Sequence, residues 1–265
     1  MTFPVYFHLG SLTIHPHWLF EALAYFVGFR LYLLTRTKGR IPIKQAMWII
    51  VGATIGAAPG SKLLYWLEDP FMTLTRWNDW QYMMSGKTIV GGLLGGLIGV
   101  EWTKKRIGLT RSTGDDLVFP LIVGMAIGRV GCFLTGLSDH TYGTSTSWIT
   151  GIDFGDGVMR HPTQLYEIVF LLLMMAFLFM LRFRNRRMAN ARQPDGILFQ
   201  QFMFSYLLFR FFIDFIKPTL HPYAGLNNIQ LACLAGLGYY TYLLFVKKES
   251  RKDLTDAEEP TVSLS

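Results

Sequence analysis

The chain has 265 residues, 51% of them hydrophobic and 15% aromatic, and its 16% of charged residues falls well below the roughly 25% of soluble domains. Its net charge of +7 is spread in clusters between apolar runs, a pattern that fixes membrane orientation and excludes nucleic acid as the partner. The only cysteines, Cys132 and Cys233, lie in apolar runs and read as small buried hydrophobes, with no sign of a disulfide framework or a zinc site.

Seven apolar runs approach or reach the roughly 20 residues that cross a bilayer as a helix. They cover 18–35, 46–67, 88–103, 117–135, 164–182, 197–216 and 227–246. The fold expected is therefore an all-α polytopic membrane protein with about seven transmembrane helices. One transmembrane domain occupies 1–246, and an acidic, disordered cytoplasmic tail occupies 247–265. No basic segment precedes the first run, which continues as a full span, so no cleavable signal peptide is expected. The third run, Gly91 to Gly99, is short and rich in glycine. Such spacing suits close helix packing, and it also suits a broken segment lining a cavity. Neither an internal repeat nor a low-complexity tract is seen.

Basic residues alternate sides. Arg36, Lys38, Arg40 and Lys44 fill the first loop, Lys104, Lys105, Arg106 and Arg111 the third, and Arg182, Arg184, Arg186, Arg187 and Arg192 the fifth. Lys247, Lys248, Arg251 and Lys252 follow the last span, whereas the opposite side carries only Arg76, Lys87, Arg160 and Lys217. The positive-inside rule then places the C-terminus in the cytoplasm and the N-terminus outside. On the outer side, 68–87 has aromatic residues suited to the headgroup layer, and the polar segment 136–163 forms a long loop able to cover a site.

Two arginines stand inside apolar runs: Arg129 between Leu121 and Leu134, and Arg210 between Phe202 and Phe215. An arginine at mid-bilayer costs at least about 2.5 kcal/mol and keeps its charge. Each needs a polar cavity or an anionic partner, and the planar guanidinium fork fits a carboxylate or phosphate in bidentate fashion. Tyr206, Arg210 and Asp214 follow at i, i+4 and i+8 on one helix face. An Arg–Asp packing pair explains Arg210 but leaves Arg129 without an acidic residue within a turn. Glu167 enters the fifth span behind His161 and Gln164, as a packing device, a counter-ion for an arginine, or a proton acceptor. Glu21 is an acid inside the first span, and Lys62 and Lys87 lie near span ends, where lysines snorkel.

Five stretches in order resemble one family, the bacterial prolipoprotein diacylglyceryl transferases. Gly128-Arg129-Val130-Gly131 with Phe133-Leu134 looks like the centre of its signature, and His161-Pro162-Thr163-Gln164-Leu165-Tyr166-Glu167 like its His-Pro-Ser-Gln-Leu-Tyr-Glu motif. Tyr206, Arg210 and Asp214 resemble its Tyr-x-x-x-Arg-x-x-x-Glu helix, the glycines after Ile89 its His-Gly-Gly-Leu-x-Gly segment, and Asp116 with Pro120 its fourth-span entrance. The resemblance covers most of the chain.

It implies an enzyme of the bacterial cytoplasmic membrane that moves a diacylglyceryl group from phosphatidylglycerol, or a similar anionic phospholipid, to a lipobox cysteine of a prolipoprotein, without a cofactor. Arg129 and Arg210 would bind the phosphate, and Glu167 and Asp214 would orient them. Tyr206, His161, Gln164 and Lys62 would line the substrate, and Glu21 or Asp139, or alternatively Glu167, would be the base. Several family positions differ: the histidine before Gly-Gly is Val90, a first-span tyrosine is Glu21, the signature asparagines are Cys132 and Thr135, and a second-span arginine is Ala58, with Lys62 one turn on. Asp139 is matched to the acid after the signature across two extra residues. These departures leave two rivals open: a paralogue using the same donor with another acceptor, and a non-catalytic lipid-binding or transport protein, although no inverted repeat supports transport.

Overall fold

A computed structural model describes residues 3–36, 41–187 and 195–246. The tail expected at 247–265 and parts of two basic loops lie outside the described residues. Nine α-helices carry the described fold: α1 (Pro16–Thr35), α2 (Ile43–Trp66), α3 (Pro70–Thr75), α4 (Trp80–Met84), α5 (Ile89–Arg106), α6 (Val118–Thr135), α7 (Thr163–Arg187), α8 (Ile197–Ile213) and α9 (Asn228–Thr241).

Five segments are long and apolar enough to cross a membrane: α1, α2, α6 with the turn after it to Asp139, the Thr163–Arg184 part of α7, and α8 extended to Ile216. The third and seventh expected spans form helices but fall short of that standard. α5 has only 18 residues, dilutes its apolar character with glycine, and ends in Lys104, Lys105 and Arg106. α9 runs as regular helix for 14 residues and then widens into a π turn over Tyr242–Val246. Outward-facing side chains such as Trp18, Phe26, Leu34, Ile55, Phe179 and Met180 are largely exposed. An integral membrane protein buries such a surface in lipid.

The fold is mostly helical, in keeping with the all-α expectation, and adds two small sheets. Two antiparallel hairpins flank the bundle, β1 (Phe7–Leu9) with β2 (Leu12–Ile14), and β3 (Ile152–Asp153) with β4 (Met159–Arg160). Each is too short to give an alternating pattern against its polar surroundings. The first turns at Gly10, whose φ of +62° lies in the left-handed region.

Two helix pairs set the frame. α2 and α5 meet glycine to glycine along Gly52, Gly56 and Gly60 on one helix and Gly91, Gly95 and Gly99 on the other. A Cβ on Gly56 would stand 2.2 Å from the Gly95 carbonyl oxygen, and one on Gly99 2.1 Å from that of Gly52. The glycine run in α5 therefore serves close packing, and the helix is unbroken. α1 lies along α6, where Gly131 accepts Phe20 so closely that a Cβ would meet the Phe20 Cβ at 2.6 Å. This contact carries the first turn of α1 to the end of α6. The core fills the space between α7, α8 and α9 with Leu171, Leu178, Phe202, Met203, Leu207, Cys233 and Tyr240, and Val90 and Ile122 join it from α5 and α6. Asn227 starts α9 through a capping box with Gln230, each side chain bonding the other's backbone N–H.

The segment 136–163 is held down rather than loose. Gly143 and Thr144 donate their N–H groups to the carbonyls of His161 and Ile216, both at 2.8 Å. The segment is thereby drawn across the ends of α6, α7 and α8.

Candidate active site

Glu167 sits in the second turn of α7, 2% exposed, and gathers groups from two other helices. Its Oε2 lies 2.8 Å from Arg129 Nε of α6 and 3.6 Å from Arg210 Nη1 of α8. Its Oε1 accepts a hydrogen bond from the Tyr206 hydroxyl at 2.7 Å. The contact with Arg129 is an ion pair rather than an aligned hydrogen bond. The geometry makes Glu167 a shared counter-ion of both arginines.

The expected face of α8 forms as spaced. Tyr206 and Arg210 meet Glu167, and Arg210 Nη2 donates to Asp214 Oδ1 at 2.7 Å. Asp214 begins a 3-10 turn, Asp214–Ile216, that tightens the end of the helix. Its Oδ1 also lies 3.8 Å from Lys217 Nζ, and its Oδ2 takes a weak bond from Asn227 Nδ2 at 3.5 Å. Burial, with the Arg210 charge beside it, pushes the Lys217 ammonium down to about 7. Just past α2, burial and the Asp214 charge raise the Glu68 carboxyl above its ordinary value.

The cluster thus sets three cations, Arg129, Arg210 and protonated Lys217, against the two carboxylates of Glu167 and Asp214. It is buried, and it carries an excess positive charge only while Lys217 is protonated. Arg129 Nε and Arg210 Nε and Nη1 have no hydrogen-bond acceptor among the described residues. Arg129 Nε and Arg210 Nη1 are thus held by charge alone, through the Glu167 carboxylate.

A second cluster adjoins it. His17 in the first turn of α1 places Nδ1 2.8 Å from Asp139 Oδ1, and Nε2 3.6 Å from Glu21 Oε2. Glu21 also pairs with Lys87 and accepts from the Tyr25 hydroxyl at 3.2 Å. Asp139 Oδ2 accepts from the Thr141 hydroxyl at 2.7 Å, and Thr141 Oγ1 in turn accepts from Gln164 Nε2 at 3.1 Å. A ring nitrogen of His17, the sulfur of Cys132 and a carboxylate oxygen of Asp139 all lie within 4.8 Å of one another, the one such group among the described residues. Arg129 links the two clusters, because its Nη1 reaches Cys132 Sγ at 3.8 Å.

The structure therefore joins Arg129, Arg210, Glu167, Tyr206 and Asp214 in one cluster and Glu21, Asp139 and Gln164 in the next. Lys62 and His161 are occupied elsewhere. Lys62 gives its ammonium to the carbonyls of Met84, Ser85 and Gly86, tying down the chain after α4. His161 Nδ1 bonds the Tyr166 hydroxyl at 3.1 Å, and its ring stands edge-on to Trp148. Val90 is 1% exposed in the core and brings no ionisable group.

Sequence reasoning passed over His17, Cys132, Thr141, Lys217 and Asn227. His17 had a signal, since it stands one turn before Glu21 on the same face. Cys132 had another, three residues after Arg129. Thr141 and Asn227 lie in loops, where only the tertiary fold brings them to the site.

Known proteins match over nearly the whole chain. The family model described as prolipoprotein diacylglyceryl transferase matches residues 4–246. A phosphatidylglycerol–prolipoprotein diacylglyceryl transferase of Methylobacillus flagellatus is 31% identical over 253 residues, covering 86% of this chain and 88% of the relative. The protein of the same name from Geobacter sulfurreducens is 28% identical over 254 residues, covering 88% and 86%. That from Dehalococcoides mccartyi is 28% identical over 273 residues, covering 94% and 97%. The matched region contains the helices that carry the paired arginines and the acids between them, and the chain belongs to the prolipoprotein diacylglyceryl transferase family.

Proposed function

We propose that this protein is an integral-membrane transferase that takes the diacylglyceryl group of phosphatidylglycerol and attaches it to a cysteine thiol of a prolipoprotein, releasing glycerol phosphate. The observation that carries the reading is the pair of buried arginines, Arg129 and Arg210, that share one carboxylate oxygen of Glu167 and keep guanidinium N–H groups without a hydrogen bond. A phosphodiester headgroup carries one negative charge and two free oxygens, which neutralises the cluster and satisfies those donors.

The same contacts favour the reaction. When the sulfur attacks the glyceryl carbon, the C–O bond breaks and the phosphate oxygen gains charge. Preorganised guanidinium donors stabilise that charge without reorganising, and such contacts typically lower the barrier by about 3–4 kcal/mol each. Glu167 holds the two forks in place, and Tyr206 and Asp214 hold Glu167 and Arg210 from behind.

The topology belongs to the same reading. All seven expected spans cross the bacterial cytoplasmic membrane, with α5 and α9 sheltered among longer helices, the N-terminus outside and the C-terminus in the cytoplasm. The clusters then open toward the outer face, beneath the segment 136–163. The alternation of basic residues supports this orientation.

Complementation tests the function. The gene should restore growth and lipoprotein maturation in a bacterium depleted of its own diacylglyceryl transferase. Well-expressed, membrane-inserted protein that fails to restore either would contradict it. A different acceptor with the same donor is the second reading, favoured by Val90, which leaves the core position without an ionisable group. Transfer to a non-lipobox acceptor with the same release of glycerol phosphate would establish it.

A further inference from the structure

We propose that the turn carrying Trp148 and Ile149 is a membrane anchor: its two apolar side chains insert among the lipids beside α7 and seat the segment 136–163 on the bundle. The insertion stands on geometry and sequence; that the leaflet is the outer one rests on the proposed topology.

These side chains stand out from a polar segment. Trp148 is 70% exposed and Ile149 fully so. From Thr141 to Ile152 the chain has no acidic or basic residue, and its polar groups are the hydroxyls of Thr, Ser and Tyr. An uncharged turn tipped by tryptophan suits the headgroup boundary, where tryptophan is enriched and a charge would be costly. The turn is also built. Thr146 donates its N–H to the Met159 carbonyl at 2.8 Å, Trp148 its N–H to Thr146 Oγ1 at 3.1 Å, and Gly151 its N–H to the Trp148 carbonyl at 2.9 Å.

α7 gives the depth and the direction. Its membrane-length part begins at Thr163. Tyr166 lies three residues further, about 4.5 Å along the helix axis. The Thr150 hydroxyl, next to Ile149, meets the Tyr166 hydroxyl at 2.6 Å. The tip thus lies level with the first turn of the span. Tyr166, Val169 and Leu173 follow at i, i+3 and i+7 on one face, where Val169 and Leu173 are 55% and 66% exposed. Glu167 turns the other way, into the anion cluster. The tip therefore sits over the lipid-facing side of α7, where hydrocarbon and headgroups are the natural cover.

The anchor is connected to the site. The Trp148 ring stands edge-on to His161, 5.6 Å between centroids, and the His161 carbonyl accepts the Gly143 N–H. Two residues earlier, Thr141 bonds both Asp139 and Gln164. Lipid that holds the tip also holds this stretch across the ends of α6, α7 and α8.

The test uses the full-length protein in nanodiscs of phosphatidylcholine and phosphatidylglycerol. An environment-sensitive fluorophore is attached at Ile149→Cys and, as the aqueous reference, at Asp156→Cys in the exposed turn between β3 and β4. The parent protein, whose Cys132 and Cys233 are buried, is the labelling blank. At Ile149→Cys, a nitroxide on the lipid acyl chain should quench severalfold more than at Asp156→Cys, and aqueous iodide severalfold less. Equal quenching at the two positions overturns the insertion. Trp148→Ser combined with Ile149→Ser should speed amide exchange at Gly143, Thr144 and Thr146 severalfold in nanodiscs; unchanged exchange overturns the seating of the segment. Release of glycerol phosphate by the unsubstituted protein is measured in parallel. Its absence beside a lipid-quenched tip supports the anchor and counts against the transferase function, whereas turnover with a tip open to iodide overturns the anchor and leaves that function standing.

Discussion

Glu167 Oε2 lies 2.8 Å from Arg129 Nε, and this pairing between α7 and α6 resolves the charge that sequence spacing left without a partner. Arg210 shares the same carboxylate oxygen at 3.6 Å from a third helix. One buried acid thus fixes the separation of two guanidinium groups and leaves part of each fork free.

Substitution of either arginine by lysine keeps the charge and removes the fork. Arg129→Lys and Arg210→Lys should each lower the release of glycerol phosphate by about a hundredfold, with melting temperature little changed. Turnover assays beside thermal denaturation in detergent check this.

Glu167→Gln leaves two buried cations facing each other. Breaking a buried charge network in this way costs about 3–5 kcal/mol. The variant should lose more stability than Tyr206→Phe, which removes one hydrogen bond and costs about 1–3 kcal/mol. Thermal denaturation of both variants ranks them.

The glycine contact of α2 with α5 should tolerate no side chain. Gly56→Val places atoms against the Gly95 backbone, which a Cβ already meets at 2.2 Å, so folded protein should fall sharply. Gly238→Ala, where a Cβ meets nothing within 4 Å, is the control and should be recovered at normal yield. Size-exclusion profiles of the purified variants give the readout.

Lys217 makes the anion cluster sensitive to pH. With its ammonium at about 7, the third cation is present below that pH and lost above it. The apparent KM for phosphatidylglycerol should therefore rise as pH increases through 7, by about tenfold for one charge-assisted contact. Lys217→Arg keeps its charge and should flatten the profile. A profile with the same slope in both proteins would remove Lys217 from donor binding.

Much of the site was legible because it follows helical spacing. Tyr206, Arg210 and Asp214 share a face by simple periodicity, and the two arginines announce themselves by their cost in lipid. The partner of Arg129 was named among the candidates but not assigned, since no local rule links Glu167 to α6. The grouping of His17 with Cys132 and Asp139 was not legible for the same reason: His17 is far from the other two in the chain and meets them because α1 lies along α6 at Gly131. Span count was less legible than span position. Glycine and the charged end of α5, and the widening of α9 after Thr241, shorten elements that an apolar run alone suggests are complete.

The most direct measurement is an experimental structure of the protein with phosphatidylglycerol bound in a lipid nanodisc. Density for the headgroup phosphate should lie within hydrogen-bonding distance of both Arg129 and Arg210. A headgroup phosphate bound elsewhere, with both guanidinium groups engaged only by Glu167 and Asp214, would contradict the phosphate clamp on which the proposed reaction depends.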